Sequence, residues 1–115
     1  MMVKEKEMII NCTPHDISIM KDGITTVIPK SGIIPRVASA EFDTEQIDGF
    51  PCVENSYGKP AGIPDAVAGT YYIVSGMVFA ATDRSDVVAP DTGSTAVRNR
   101  QGYIIAVTRL IRKAV

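Results

Sequence analysis

The chain has 115 residues, 45% apolar and 22% charged, with nine glycines, seven prolines and a net charge of −1. That length suits one domain around one core, and the composition excludes a disordered or low-complexity chain. Near-neutral charge argues against binding along a nucleic-acid backbone, and no apolar run approaches the roughly 18 residues of a membrane span.

The opening, residues 1–7, is mostly charged and reads as a weakly ordered head rather than a signal sequence, so a soluble intracellular protein is expected. Met8 to Cys12 is a short apolar run closed by a turn at Thr13-Pro14-His15-Asp16. Ile17 to Met20 reads as a strand, Asp22-Gly23 as a tight hairpin turn, and Ile24 to Ile28 as the returning strand. Pro29 to Gly32 is a second turn. Ile33 to Glu41 is a third strand, with Pro35 placing it at an edge or a bulge. The first forty residues are thus expected to be a run of hairpins.

Glu41 to Gly49 carries four carboxylates and reads as a solvated loop, and Phe50 to Asn55 as a weak strand. Tyr57 to Asp65, with two glycines and two prolines, reads as a further loop. Thr70 to Val74 has the aromatic and β-branched content of a buried strand. Met77 to Thr82 is helix or strand; Ser75 as an N-cap and the paired alanines favour helix. Asp86 to Ala89 is a short strand. Residues 95–98, a turn at 99–102 and Tyr103 to Ile111 form a last hairpin. The expected fold is α+β, mainly antiparallel β-sheet with one or two short helices, in a single domain over 1–115.

Charge is unevenly spread. Residues 37–91 hold nine acids and two bases, whereas 92–115 hold Arg98, Arg100, Arg109, Arg112, Lys113 and no acid. Such a basic stretch can meet an anionic ligand, another subunit's acidic surface or water. Cys12 and Cys52 build no disulfide framework and read as small core residues. Cys12 and His15 are too few for a zinc site, and no catalytic motif appears, so binding is favoured over catalysis, with no metal and no cofactor.

Arg109 is the most informative residue. Alternation along Tyr103–Ile111 puts it on one face with Tyr103, Ile105, Val107 and Ile111. A guanidinium in an apolar stripe needs a partner. Two remain open: an intramolecular carboxylate at Asp83, Asp86 or Asp91, or a phosphate gripped by the guanidinium fork. The break at Ser75-Gly76 offers backbone N–H groups at a helix start, and Phe79 and Tyr72 offer rings for a purine. Asp91-Thr92-Gly93 suits ribose hydroxyls or an Asx-type turn.

Several segments in order resemble a family of small phage and prophage proteins. They are residues 11–16 (NCTPHD), 29–32 (PKSG) with Pro35-Arg36-Val37, and 72–75 (YIVS). Residues 86–93 (DVVAPDTG), 96–98 (AVR) and 105–109 (IAVTR) continue the likeness. The family is Thoeris anti-defence protein 1, whose members sequester immune signalling nucleotides. The resemblance implies a non-enzymatic phage protein acting in the host bacterial cytoplasm. It would capture cyclic ADP-ribose variants, with cyclic di- or trinucleotides as a further class held by some members, and so block Thoeris- or CBASS-type signalling. It also implies homodimers assembling to hexamers, and neither a nucleic-acid polymer nor a membrane as partner. Arg109, Phe79, Asp91 and Thr92 carry over as one candidate pocket, with Arg36, Arg98 and Ser75 as further ligand-binding candidates. The competing reading is a structural or protein-interaction module of a phage particle.

Overall fold

The computed structural model describes residues 7–113. The strands are β1 (Met8–Asn11), β2 (Ile17–Lys21), β3 (Ile24–Ile28), β4 (Arg36–Ile47), β5 (Phe50–Ala61), β6 (Thr70–Ile73), β7 (Val87–Pro90), β8 (Val97–Arg98), β9 (Ile104–Ala106) and β10 (Leu110–Arg112). One helix, α1 (Gly76–Ala80), lies between β6 and β7. The α+β, mainly β expectation holds, with one short helix.

A four-stranded sheet in the order β1-β6-β7-β10 forms the centre. β1 and β7 both run parallel to β6, and only β10 is antiparallel to its neighbour. This corrects the run of hairpins expected at the start: β1 pairs across more than fifty residues with β6 rather than with β2. Residues alternate across the pleat. Ile10, Tyr72 and Val87 stand in register on one face. There Tyr72, Val74, Val87, Cys12 and Val78 of α1 make the core, with Ile10, Val37, Ile63 and Phe79 packed against it.

Three two-stranded ribbons surround the sheet: β2-β3, β4-β5 and β8-β9. The first turns at Asp22-Gly23, as expected, with both residues at positive φ. The second is the main correction. Residues 41–49 and 57–61, expected as loops, belong to two twelve-residue strands joined at Asp48-Gly49, again with both residues at positive φ. The signal was present in two forms. Ala40-Glu41-Phe42-Asp43-Thr44-Glu45 alternates apolar or neutral with acidic residues, and Asp-Gly between Ile47 and Phe50 is a hairpin dipeptide. Pro51 and Pro60 are tolerated because each strand of an isolated ribbon has one side with no ladder to satisfy. β4 starts only at Arg36, after Pro35, rather than at Ile33. With this arm the molecule measures 65 × 39 × 27 Å.

The expected strand from Tyr103 to Ile111 is also corrected. It splits into β9 and β10, and residues 107–109 turn between them. Val107 breaks away to pair with β2, its N–H bonding the Ser18 carbonyl (2.9 Å) and its carbonyl the Met20 N–H (2.8 Å). Cys12 is a core residue as expected, but Cys52 is only half-buried on the arm. The head expected at 1–7 lies outside the described residues except for Glu7. No described helix is long and apolar enough to cross a membrane.

Candidate ligand-binding site

The segments at residues 11–16 and 29–32 build one structural knot. Asn11 ends β1 and is buried. Its amide Nδ2 donates to the carbonyls of His15 (2.8 Å) and Ile28 (3.0 Å). Its Oδ1 accepts from the backbone N–H (3.0 Å) and hydroxyl (2.7 Å) of Thr13. The Asn11 carbonyl accepts from the Ser31 N–H and hydroxyl, while the Asp16 carboxylate accepts from the Lys30 N–H (2.9 Å). Residues 11–16 and 29–32 are therefore each other's partners. Cys12 is buried, with its thiol pushed up by desolvation, and His15 is exposed. Among the described residues no three His, Cys, Asp or Glu side chains gather to hold a metal.

Because β1, β6 and β7 are parallel, their carboxyl ends share one edge of the sheet, where β10 begins. That places Ser75, Asp91, Thr92 and Arg109 on the same edge. Of the two partners left open for Arg109, the structure supplies the intramolecular one. Its Nε donates to Asp91 Oδ2 at 2.6 Å, and the Asp91 N–H bonds the Arg109 carbonyl at 3.1 Å. The hydrogen bond from Arg109 holds the Asp91 carboxyl below the usual range, helped by the Gly93 N–H. The expectation of a guanidinium within an apolar stripe is corrected: Arg109 lies in the turn between β9 and β10, its side chain 63% exposed.

The other candidates are dispersed or engaged. The Ser75 hydroxyl caps the Val78 N–H, and one helical turn carries little dipole to attract an anion. Phe79 packs on the core, with the Lys113 ammonium 4.1 Å from its ring centre. Arg98 closes its own turn through the Gly102 carbonyl (2.7 Å), and Arg36 sits exposed at the root of β4. Thr92 is exposed and borders a groove of about 280 Å³ between the start of β2 and β9, lined mainly by apolar groups.

A larger cleft lies at the opposite edge, where β6 and β7 start and β10 ends. It measures about 590 Å³, and Gly69, Thr70, Tyr71, Arg84, Ser85 and Arg112 are among its walls. The Arg84 fork grips Asp86, Nε to Oδ1 at 2.9 Å and Nη2 to Oδ2 at 2.7 Å, while Nη2 also reaches the Pro64 carbonyl. This pair raises the Arg84 guanidinium and lowers the Asp86 carboxyl from their ordinary values. Arg112 lies over the Tyr71 ring, 5.5 Å from its centre. The sequence reading missed Arg84, Tyr71 and Arg112 as a group. Position 112 shares a face with 110 on a last strand that pairs back to β7, and only that long-range register brings it beside Tyr71. Comparison with protein-family models, curated proteins and solved structures finds no match to the chain.

Proposed function

We propose that the protein is a non-catalytic binder of a phosphorylated nucleotide, of the cyclic ADP-ribose class that the resemblance implies, and a phage anti-defence protein of the host cytoplasm. The observation that carries this reading is the 590 Å³ cleft, which puts the Arg112 guanidinium and the Tyr71 ring beside a space of nucleotide size, with the Arg84 fork committed to Asp86. Arginine forks suit phosphate oxygens and an aromatic ring suits a base. Asp86 does not oppose an anion there, since Arg84 already neutralises it. Open parallel sheets commonly bind ligands beyond strand carboxyl ends, which favours the Asp91–Arg109 edge instead. The apolar groove beside Thr92 at that edge is smaller, and Arg109 does not line it.

Thermal denaturation with cyclic ADP-ribose variants and cyclic dinucleotides tests the reading. A ligand at roughly 100 times its Kd adds about 2.7 kcal/mol of stability and raises the midpoint. Arg112→Ala should abolish that rise and Arg109→Ala should leave it. Loss with Arg109→Ala alone moves the site to the other edge, and no rise with any nucleotide ends the reading. Heating the complex should release the nucleotide unaltered, and a changed nucleotide would mean chemistry. The exposed β4-β5 arm favours the second reading, a protein-interaction module of a phage particle, for which no nucleotide moves the midpoint.

A further inference from the structure

The central sheet has two faces, and the cluster around α1 occupies one of them. Alternation sets Ile10, Tyr72 and Val87 in that cluster and puts Ile9, Tyr71, Val88, Leu110 and Arg112 on the reverse. On the reverse, Ile73 and Val88 are 0% and 4% exposed, whereas Ile9 is 41% exposed and Tyr71 and Leu110 are half-buried. Among the described residues, the cover over this face thus stops short of the edge where β6 starts and β10 ends. A slot of about 180 Å³ remains there, walled by Ile9, Tyr71, Val88 and Leu110, one from each strand of the sheet, together with Glu7 and Arg112.

The slot meets the 590 Å³ cleft at Tyr71 and Arg112, which line both. By itself it is too small for a whole ligand, since pockets that enclose a small molecule start near ~300 Å³. It suits a single flat ring system. Its walls are mainly apolar, whereas the cleft holds the Arg84–Asp86 pair and the Thr70 and Ser85 hydroxyls. The junction between them carries charge, with the Arg112 guanidinium 5.5 Å from the Tyr71 ring centre. A guanidinium over a ring engages it through its face and keeps its in-plane N–H donors for anion oxygens. A nucleotide has the same order of chemistry: a flat base, an anionic group one sugar away, and a polar remainder.

We infer that the ligand lies across both depressions, its base seated in the slot against Ile9, Val88 and Leu110 and its phosphates in the cleft; this rests on the cleft being a nucleotide site. Arg112 then holds the phosphate nearest the base, while Arg84, committed to Asp86, forms wall rather than grip. A base in this place covers the open part of Ile9 and removes apolar surface from water. The ligand class narrows accordingly to nucleotides with a phosphate on the sugar that bears the base. A sugar phosphate without a base fills the cleft alone, and a nucleoside without phosphate fills the slot alone.

Nuclear magnetic resonance of methyl-labelled protein reads the two halves separately. Cyclic ADP-ribose, or cyclic di-AMP in its place, should shift the Ile9, Val88 and Leu110 methyl signals through the ring current of the base, together with the Ser85 and Arg112 amides. Ribose-5-phosphate at millimolar concentration should shift the two amides and leave the methyls still. Ile9→Ala with Leu110→Ala, both outside the buried core, should weaken binding of the nucleotide roughly tenfold or more and leave ribose-5-phosphate unchanged. Amide shifts with silent methyls, or a double variant that binds the nucleotide as the native chain does, would overturn the slot assignment while the cleft stays a nucleotide site. Silence in both halves with both nucleotides would remove the cleft reading and the slot with it.

Discussion

Asn11 makes four side-chain hydrogen bonds while 1% exposed, and they tie the 13–15 turn to the end of β3. Asn11→Ala would take the amide donor from the Ile28 carbonyl and the acceptor from the Thr13 N–H, while the Thr13 hydroxyl still reaches the His15 carbonyl (2.9 Å), each lost partner costing about 1–3 kcal/mol. A loss of ~3 kcal/mol or more is expected in urea unfolding, and Asn11→Asp should be nearly as damaging because it turns an acceptor oxygen toward the carbonyls of His15 and Ile28. A loss below ~1 kcal/mol would mean water replaces the amide. The same knot explains why residues 11–16 read as a motif: the residue types are set by a fold requirement and need not touch a ligand. Asp86 and Asp91 are both held below their ordinary values by arginines. Carboxyls lowered in the fold contribute stability above the unfolded value near pH 4 and lose it as pH falls through the folded value. Unfolding midpoints should therefore drop below about pH 4. Asp86→Asn should lower the midpoint at neutral pH and flatten that acid limb; an unchanged limb would assign acid sensitivity elsewhere.

At the scale of elements, α1 shows how little a local signal decides by itself. Ser75 does cap the helix, but its hydroxyl sits 3.5 Å from the Val78 N–H, and a single turn is unstable alone. The helix exists because Val78, 4% exposed, is seated in the core. Val78→Ala should cost about 2 kcal/mol, from two lost methyl groups and the cavity, and Ser75→Ala only about 0.5 kcal/mol. Equal losses in denaturant titration would show that the cap matters as much as the packing. The two Asp-Gly turns make the parallel case for strands. The first was legible because β-branched residues flank it; the second was masked by the acids around it, although their alternation is that of a ribbon with one polar face. Acidic content reports solvent exposure, and an exposed strand satisfies it as well as a loop does.

The whole molecule combines a small core with long exposed ribbons. Cys12 lies within that core and Cys52 on the arm, so a thiol reagent should modify one cysteine quickly in the native protein and the second only on unfolding. Mass spectrometry after brief labelling checks this; equal rates would mean that the sheet opens readily or that both thiols are shielded. The basic charge of residues 92–113 is divided by the chain path. Arg98 and Arg100 go to β8-β9, Arg109 to the carboxyl edge, and Arg112 to the cleft at the opposite edge. With Lys113 over the Phe79 ring, a cluster in sequence is thus dispersed over separate places in space.

The sequence by itself determined the class of fold, the Asp22-Gly23 hairpin, the strand and capped turn around Ser75, and the burial of Cys12. Each is set by side-chain alternation or turn chemistry within a few residues. Tertiary structure alone decided that β1 lies parallel to β6, that Val107 leaves its strand for β2, and that Arg109 meets Asp91 while Arg112 meets Tyr71. Those pairings join segments as far apart as Ser18 and Val107, and the free energy that selects them comes from burying a shared core, which no local window contains.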